Sequence, residues 1–164
     1  MSEIDYIIPG ISVKQKAVID LQELCEAIKE WLKQYKYLVF EKEYKDVAAE
    51  AGKELHIKLL GERKIDDYTK FVIEIKIKTQ EIIEVYVKRK KLTKGEVNIK
   101  LESYLIKDYE NIWEDKPFAK FLRGIYDKFI LSGKFSRYAD ELTEETYKLH
   151  SEIKRFLNAL IVEI

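Results

Sequence analysis

Very few residues in this chain could do chemistry, and none is spaced for it. Among its 164 residues are two histidines, His56 and His150, and one cysteine, Cys25. A histidine metal site needs a second ligand at i+3 or i+4, or a matched pair elsewhere, and neither histidine has one. The six glycines (Gly10, Gly52, Gly61, Gly95, Gly124 and Gly133) are isolated, so no phosphate-cradling loop is expected. Asp66-Asp67 and Asp108/Glu110 are the carboxylate pairs that could share a proton for acid–base work. Both fall where turns are expected, where acids serve as caps. No catalytic residue, metal or cofactor is expected, and the residues favour a binding module over an enzyme.

Composition narrows the class further. Thirty basic and thirty acidic residues cancel, so no overall field steers the chain toward nucleic acid or an acidic substrate. The charged fraction is 37%, above the usual value of about 25%. Lys and Glu abound while Asn and Gln are scarce, a balance that resembles proteins from hot archaeal or bacterial sources. One cysteine permits no internal disulfide, which suits a reducing cytoplasm. No apolar run approaches a membrane span, and MSEIDYIIPG lacks the pattern of a signal peptide. One domain over residues 1–164 is expected.

The elements that must position any site are read from periodicity. In 69–79, Phe71, Ile73, Ile75 and Ile77 alternate with Lys70, Glu74, Lys76 and Lys78, as one strand with a greasy and a wet face. The alternation returns in 83–88 and 97–105, with turns expected at Gln80-Glu81 and Thr93–Glu96. Two further strands are expected at 37–44, with Leu38 and Phe40 inward, and at 55–59 after a Gly52-Lys53 turn. Tyr6–Val13, interrupted by Pro9-Gly10, reads as a kinked edge strand. Helix 20–36 starts at Asp20 as N-cap with Glu23 completing a capping box. Cys25 borders its apolar face. Helix 117–131 is expected to end at Ser132-Gly133, and a last helix to run over 140–162, carrying Leu142, Thr146, Leu149 and Ile153 at helical spacing. The fold class is therefore α+β: one antiparallel sheet of five or six strands, its apolar face covered by three helices.

Three surfaces could bind something. The wet sheet face carries Lys58, Lys76, Lys78, Lys88, Lys90 and Lys100 with Tyr86 and Tyr104, like a single-strand-binding platform. Glu74, Glu84 and Glu102 share that face and suggest cross-strand ion pairs instead. Basic residues gather at Lys88, Arg89, Lys90 and Lys91, and again in 116–137 through Lys120, Arg123 and Lys128. These two segments are the candidates for nucleic acid or an anionic membrane. A surplus of aromatic residues, Trp113, Phe118, Phe121, Tyr126 and Phe129, marks the candidate mouth of an apolar cleft for a small hydrophobic molecule or protein partner. The last helix could also pair two copies as a homodimer.

At Asp108-Tyr109-Glu110, Trp113, Pro117-Phe118, Phe121-Leu122-Arg123 and Tyr126-Asp127-Lys128 the chain resembles a group of small archaeal proteins with no assigned activity. The likeness covers mainly residues 95–157 and implies no site. In architecture the order of strand, helix, antiparallel strands and long last helix is similar to the helix-grip fold of lipid-transfer and cyclase-like proteins. That resemblance implies an apolar cavity between sheet and last helix. One N-terminal helix in place of two, and the extra helix 117–131, depart from it. A cyclase or hydrolase using cavity carboxylates would rest on this analogy alone.

Overall fold

The structure is a computed structural model and describes residues 3–49, 52–107, 121 and 132–162. In chain order the elements are β1 (Glu3–Ile19), α1 (Leu21–Gln34), β2 (Leu38–Ala49), β3 (Gly52–Lys64), β4 (Thr69–Val87), β5 (Lys90–Lys107) and α2 (Ser132–Val162). The strands form one antiparallel sheet in the order β1-β5-β4-β3-β2. The described residues thus give α+β with five strands and two helices. The expected helix 117–131 lies outside them, apart from Phe121, which is helical.

Alternation dictates the core. Phe71, Ile73, Ile75 and Ile77 of β4 are all at most 1% exposed, and Val97, Ile99, Leu101 and Leu105 of β5 and Leu59 of β3 join them on the same face. Onto this face α1 lays Leu24, Ile28, Trp31 and Leu32, and α2 lays Leu142, Leu149, Ile153 and Leu157. Each such side chain contributes roughly 1.5–3 kcal/mol by leaving water. Asp20 caps α1 as expected, its Oδ1 accepting the Glu23 N–H at 3.2 Å. β1 is an edge strand whose register shifts between Tyr6 and Ile8 and between Ile8 and Ile11. Those shifts surround Pro9, which has no N–H for the ladder.

Several expectations are corrected. Gln80-Glu81 is no turn. Gln80 pairs with Glu96 and Ile83 with Lys94, so two residues of β4 stand opposite Gly95 alone. This is a β-bulge, with Glu81 in the left-handed region at φ 54. The two expected strands 69–79 and 83–88 are therefore one, and the expected turn at 93–96 lies inside β5. A bulge also shifts face by one residue, so Ile83 turns away from the core and is 57% exposed. The hairpin instead turns at Lys88-Arg89, both with positive φ (51 and 66), as a two-residue turn of the primed class requires. Gly52-Lys53 begins β3 instead of forming a turn.

Leu38 and Phe40 do not point inward. Phe40 pairs with Leu60 and Leu38 with Glu62 on the outer face, leaving them 40% and 69% exposed. The inward positions are Tyr37, Val39 and Glu41, one residue out of phase with the expectation. The last helix begins at Ser132, eight residues before Asp140, because tertiary contacts hold its first turns. Phe135 is buried, and Lys134 and Tyr138 both reach Asp66, at 3.1 and 2.9 Å.

A Cβ at Gly95 would stand 2.8 Å from the Gln80 carbonyl oxygen and 2.8 Å from Ile82 Cγ2. Gly95→Ala should therefore lower the urea midpoint at unchanged m-value, by about 1–3 kcal/mol of stability. Gly133→Ala, facing open space in α2, should raise the midpoint by up to about 1 kcal/mol.

Candidate functional site

An apolar opening between helix and sheet lies along the N-terminal half of α1. Leu32 sits over Gly61, so close that a Cβ there would come within 2.9 Å of Leu32 Cδ2. At that end helix and sheet are closed together. Back along α1 they part into a cleft of about 400 Å³, lined on the helix by Leu21, Cys25 and Lys29 and on β3 by Leu55, Ile57 and Leu59. Its outer wall is β2, with Glu41, Glu43 and the 70% exposed Tyr44. β2 shifts register between Glu41 and Glu43, and that irregularity turns Tyr44 to the cleft side opposite Ile57.

Charge at the mouth is uneven. Lys29 is hydrogen-bonded to Glu41 and lies 4.0 Å from Glu26, with Glu43 close by along the rim. The bond to Glu41 holds the Lys29 ammonium above its ordinary pKa. Cys25 is half-buried on the helix wall, and burial pushes its thiol up to about 11. The thiol is therefore neutral and poorly nucleophilic. An apolar floor with a neutral thiol and a mildly acidic rim can hold an apolar body. It offers no activated nucleophile.

A second constellation, unforeseen from sequence, closes the other end of the helix layer. Arg63 donates from Nη1 to Glu145 Oε1 at 2.9 Å and to the Tyr35 carbonyl at 2.7 Å, and from Nη2 to Glu141 at 3.0 Å. The Tyr37 hydroxyl donates to the other Glu145 oxygen at 2.7 Å. The guanidinium also lies over the rings of Tyr37 and Phe71, at 4.8 and 5.1 Å. Burial, then the Glu145 carboxylate, pushes the Tyr37 phenol far above its ordinary value, so it stays a donor. Both Glu145 oxygens accept bonds from within the cluster, which ties β3, α2 and the start of β2 together. Its signal was present in sequence: Arg63 continues the inward phase of Leu55, Ile57 and Leu59.

Most of the expected site residues lie outside the described ones. Trp113, Phe118, Tyr126, Phe129, Lys120, Arg123 and Lys128 lie outside the described residues, as do Asp108 and Glu110; Phe121 is 65% exposed. In the hairpin run, Lys90 pairs with Asp20 and Glu23 at 3.3 and 3.4 Å, and Lys91 with Glu84 at 3.0 Å. Lys88 and Arg89 form the turn and meet no carboxylate among the described residues. Asp66 acts as a turn acceptor, taking the N–H groups of Tyr68 and Thr69 at 2.8 and 2.7 Å. His56 contacts Glu54 at 3.3 Å and His150 stands edge-on to Tyr147. No group of three metal-binding side chains occurs among the described residues. None of their helices is long and apolar enough to cross a membrane. No protein-family model matches the chain, and neither does any curated protein.

Removing Arg63 would leave Glu145, 7% exposed, without its cation. Arg63→Ala should destabilise the fold by roughly 3–5 kcal/mol, the cost of stranding a buried charge, as read by thermal or urea denaturation. Alkylation of Cys25 by iodoacetamide should be slow at pH 8, rise tenfold per pH unit toward pH 11, and become fast at pH 8 in denaturant. A fast reaction of the folded protein at pH 8 would contradict the burial described for this thiol.

Proposed function

We propose that the protein is a non-enzymatic binding module that takes an apolar ligand, or an apolar segment of a partner, into the cleft between α1 and β2–β3. The observation that carries this reading is the cleft itself: about 400 Å³, walled by Leu21, Cys25, Leu55, Ile57 and Leu59 and open at its rim. That volume lies at the lower end of small-molecule sites, which are mostly apolar with a few polar groups at the edge. The order strand, helix, antiparallel strands, long helix, with β1 beside the last strand, supports a helix-grip type of architecture. The residues assigned to the cleft are Leu21, Cys25 and Ile57. A cytoplasmic setting fits the reading, because there Cys25 stays a reduced thiol.

The alternative, anion binding through 88–91 and 116–137, starts weaker at its first segment. Two of the four hairpin cations there are already matched by Asp20, Glu23 and Glu84.

A native mass spectrum of gently purified protein should show added mass that is lost on denaturation, and an uncharged polarity-sensitive dye should bind at about one per chain. Cys25→Trp, which fills the cleft from the helix side, should abolish both while the chain still folds cooperatively. Bare protein with no dye uptake, or uptake unchanged in Cys25→Trp, would overturn the reading.

A further inference from the structure

On the opposite side of the sheet, the outer faces of β3, β4 and β5 enclose a trough of about 420 Å³, lined by His56, Lys58, Lys76, Lys78, Asn98 and Lys100 with Glu43 at its edge. We propose that this trough is a binding site for a phosphate-type oxyanion, gripped by Lys76, Lys78 and Lys100.

Register creates the site. Lys58, Lys76 and Lys100 stand directly opposite one another across three strands, and His56, Lys78 and Asn98 form the next row. Like charges placed opposite each other on a sheet are unfavourable unless something lies between them. The chain supplies only part of that counter-charge. Lys58 is taken by Glu74 at 2.5 Å, and that bond keeps its ammonium protonated. Lys76 and Lys100 share a single carboxylate, Glu102, at 3.6 and 3.2 Å. Lys78 meets no carboxylate among the described residues, and its neighbour across the β4–β5 ladder is Asn98, a neutral amide. Lys14, opposite Asn98 on β1, is spent on Glu96 at 3.1 Å. Glu43 at the edge is held by Lys45 at 3.1 Å, so Lys76, Lys78 and Lys100 against Glu102 leave two positive charges in one concavity, in a chain whose overall charge is zero.

The lysine stems are also placed. Lys100 crosses Gly10 of β1 so closely that a Cβ there would come within 2.7 Å of Lys100 Cε. The missing side chain at Gly10 leaves room for the Lys100 stem, whose Nζ stands 3.5 Å from that Cβ position on the β1 side of β5. Each ammonium has three donors and Glu102 meets Lys76 and Lys100 as ion pairs, so donors remain for the oxygens of a compact anion. A tracking site for single-stranded nucleic acid is disfavoured. The row beyond the lysines is acidic (Glu74, Glu102), and it separates them from Tyr6 and Tyr104, a tilted ring pair further along this face.

The test is titration of the full chain with inorganic phosphate and pyrophosphate at low ionic strength, followed by amide NMR and calorimetry. Saturable binding with shifts confined to residues 56–58, 76–78 and 98–100 is expected, with pyrophosphate the tighter ligand. Lys78→Gln should weaken binding roughly tenfold, the loss of one charge-assisted contact, while Lys88→Gln on the hairpin should leave it unchanged. Glu102→Gln should tighten binding, because it removes the competing carboxylate; mere loss of structure would not do that. Retention on vesicles containing phosphatidic acid, lost in Lys78→Gln, would place the phosphate on a lipid headgroup, and binding of the free anions without vesicle retention would place it on a soluble ligand. Linear, non-saturating shifts at all lysines, equal for phosphate and chloride, would overturn the site. So would affinity unchanged in Lys78→Gln, or weakened in Glu102→Gln.

Discussion

The fold depends on one largely buried ion pair, a part-buried arginine on a buried glutamate. Arg63 leaves β3 on the core side, where an arginine would ordinarily be costly, and reaches Glu145 on α2. Tyr37 from the start of β2 and the Tyr35 carbonyl from the end of α1 close on the same group. Four segments are thereby fixed to a single guanidinium. Apolar burial would let α2 slide or rotate along the sheet at little cost, because Leu, Ile and Phe contacts have no direction. Hydrogen bonds to a planar guanidinium do have direction, so they set the position of the helix.

With that end of the helix layer pinned, the other end is free to part from the sheet. Leu32 presses on Gly61, and the separation beyond it is the cleft lined by Leu21, Cys25 and Ile57. The cluster and the cleft are thus two consequences of one arrangement. A tight polar clamp holds α1, α2 and β3 together. At the other end of α1 a wedge remains that apolar side chains line without filling.

The two faces of the sheet show how the same pleat serves different ends. Inward residues build a dry core, and outward ones arrange lysines and glutamates in adjoining rows. Lys58 is neutralised by Glu74, whereas Lys76 and Lys100 share the single carboxylate of Glu102. Where a carboxylate is missing, opposite Lys78, the balance breaks locally although it holds for the whole chain. Net charge is thus a poor guide to a local surface. The fold sorts the chain's 30 basic and 30 acidic residues into patches that their sum does not reveal.

Much of the architecture was legible from residue order. The alternation of Phe71 to Ile77 and Val97 to Leu105, the Asp20 cap and the Pro9 kink are local signals, each acting within a few residues of itself. They determine an antiparallel sheet with one apolar face, and helices to cover it. Where two strands end and one bulged strand continues is not local. Gln80-Glu81 looks like a turn, and only pairing with Gly95 makes it a bulge and turns Ile83 outward. The same holds for Leu38 and Phe40, whose face follows from their β3 partners, and for the first turns of α2, held by Asp66 across the fold. The cleft and the lysine trough belong to this second class. Each is assembled from residues far apart in the chain, so tertiary packing and strand register alone decide that they meet.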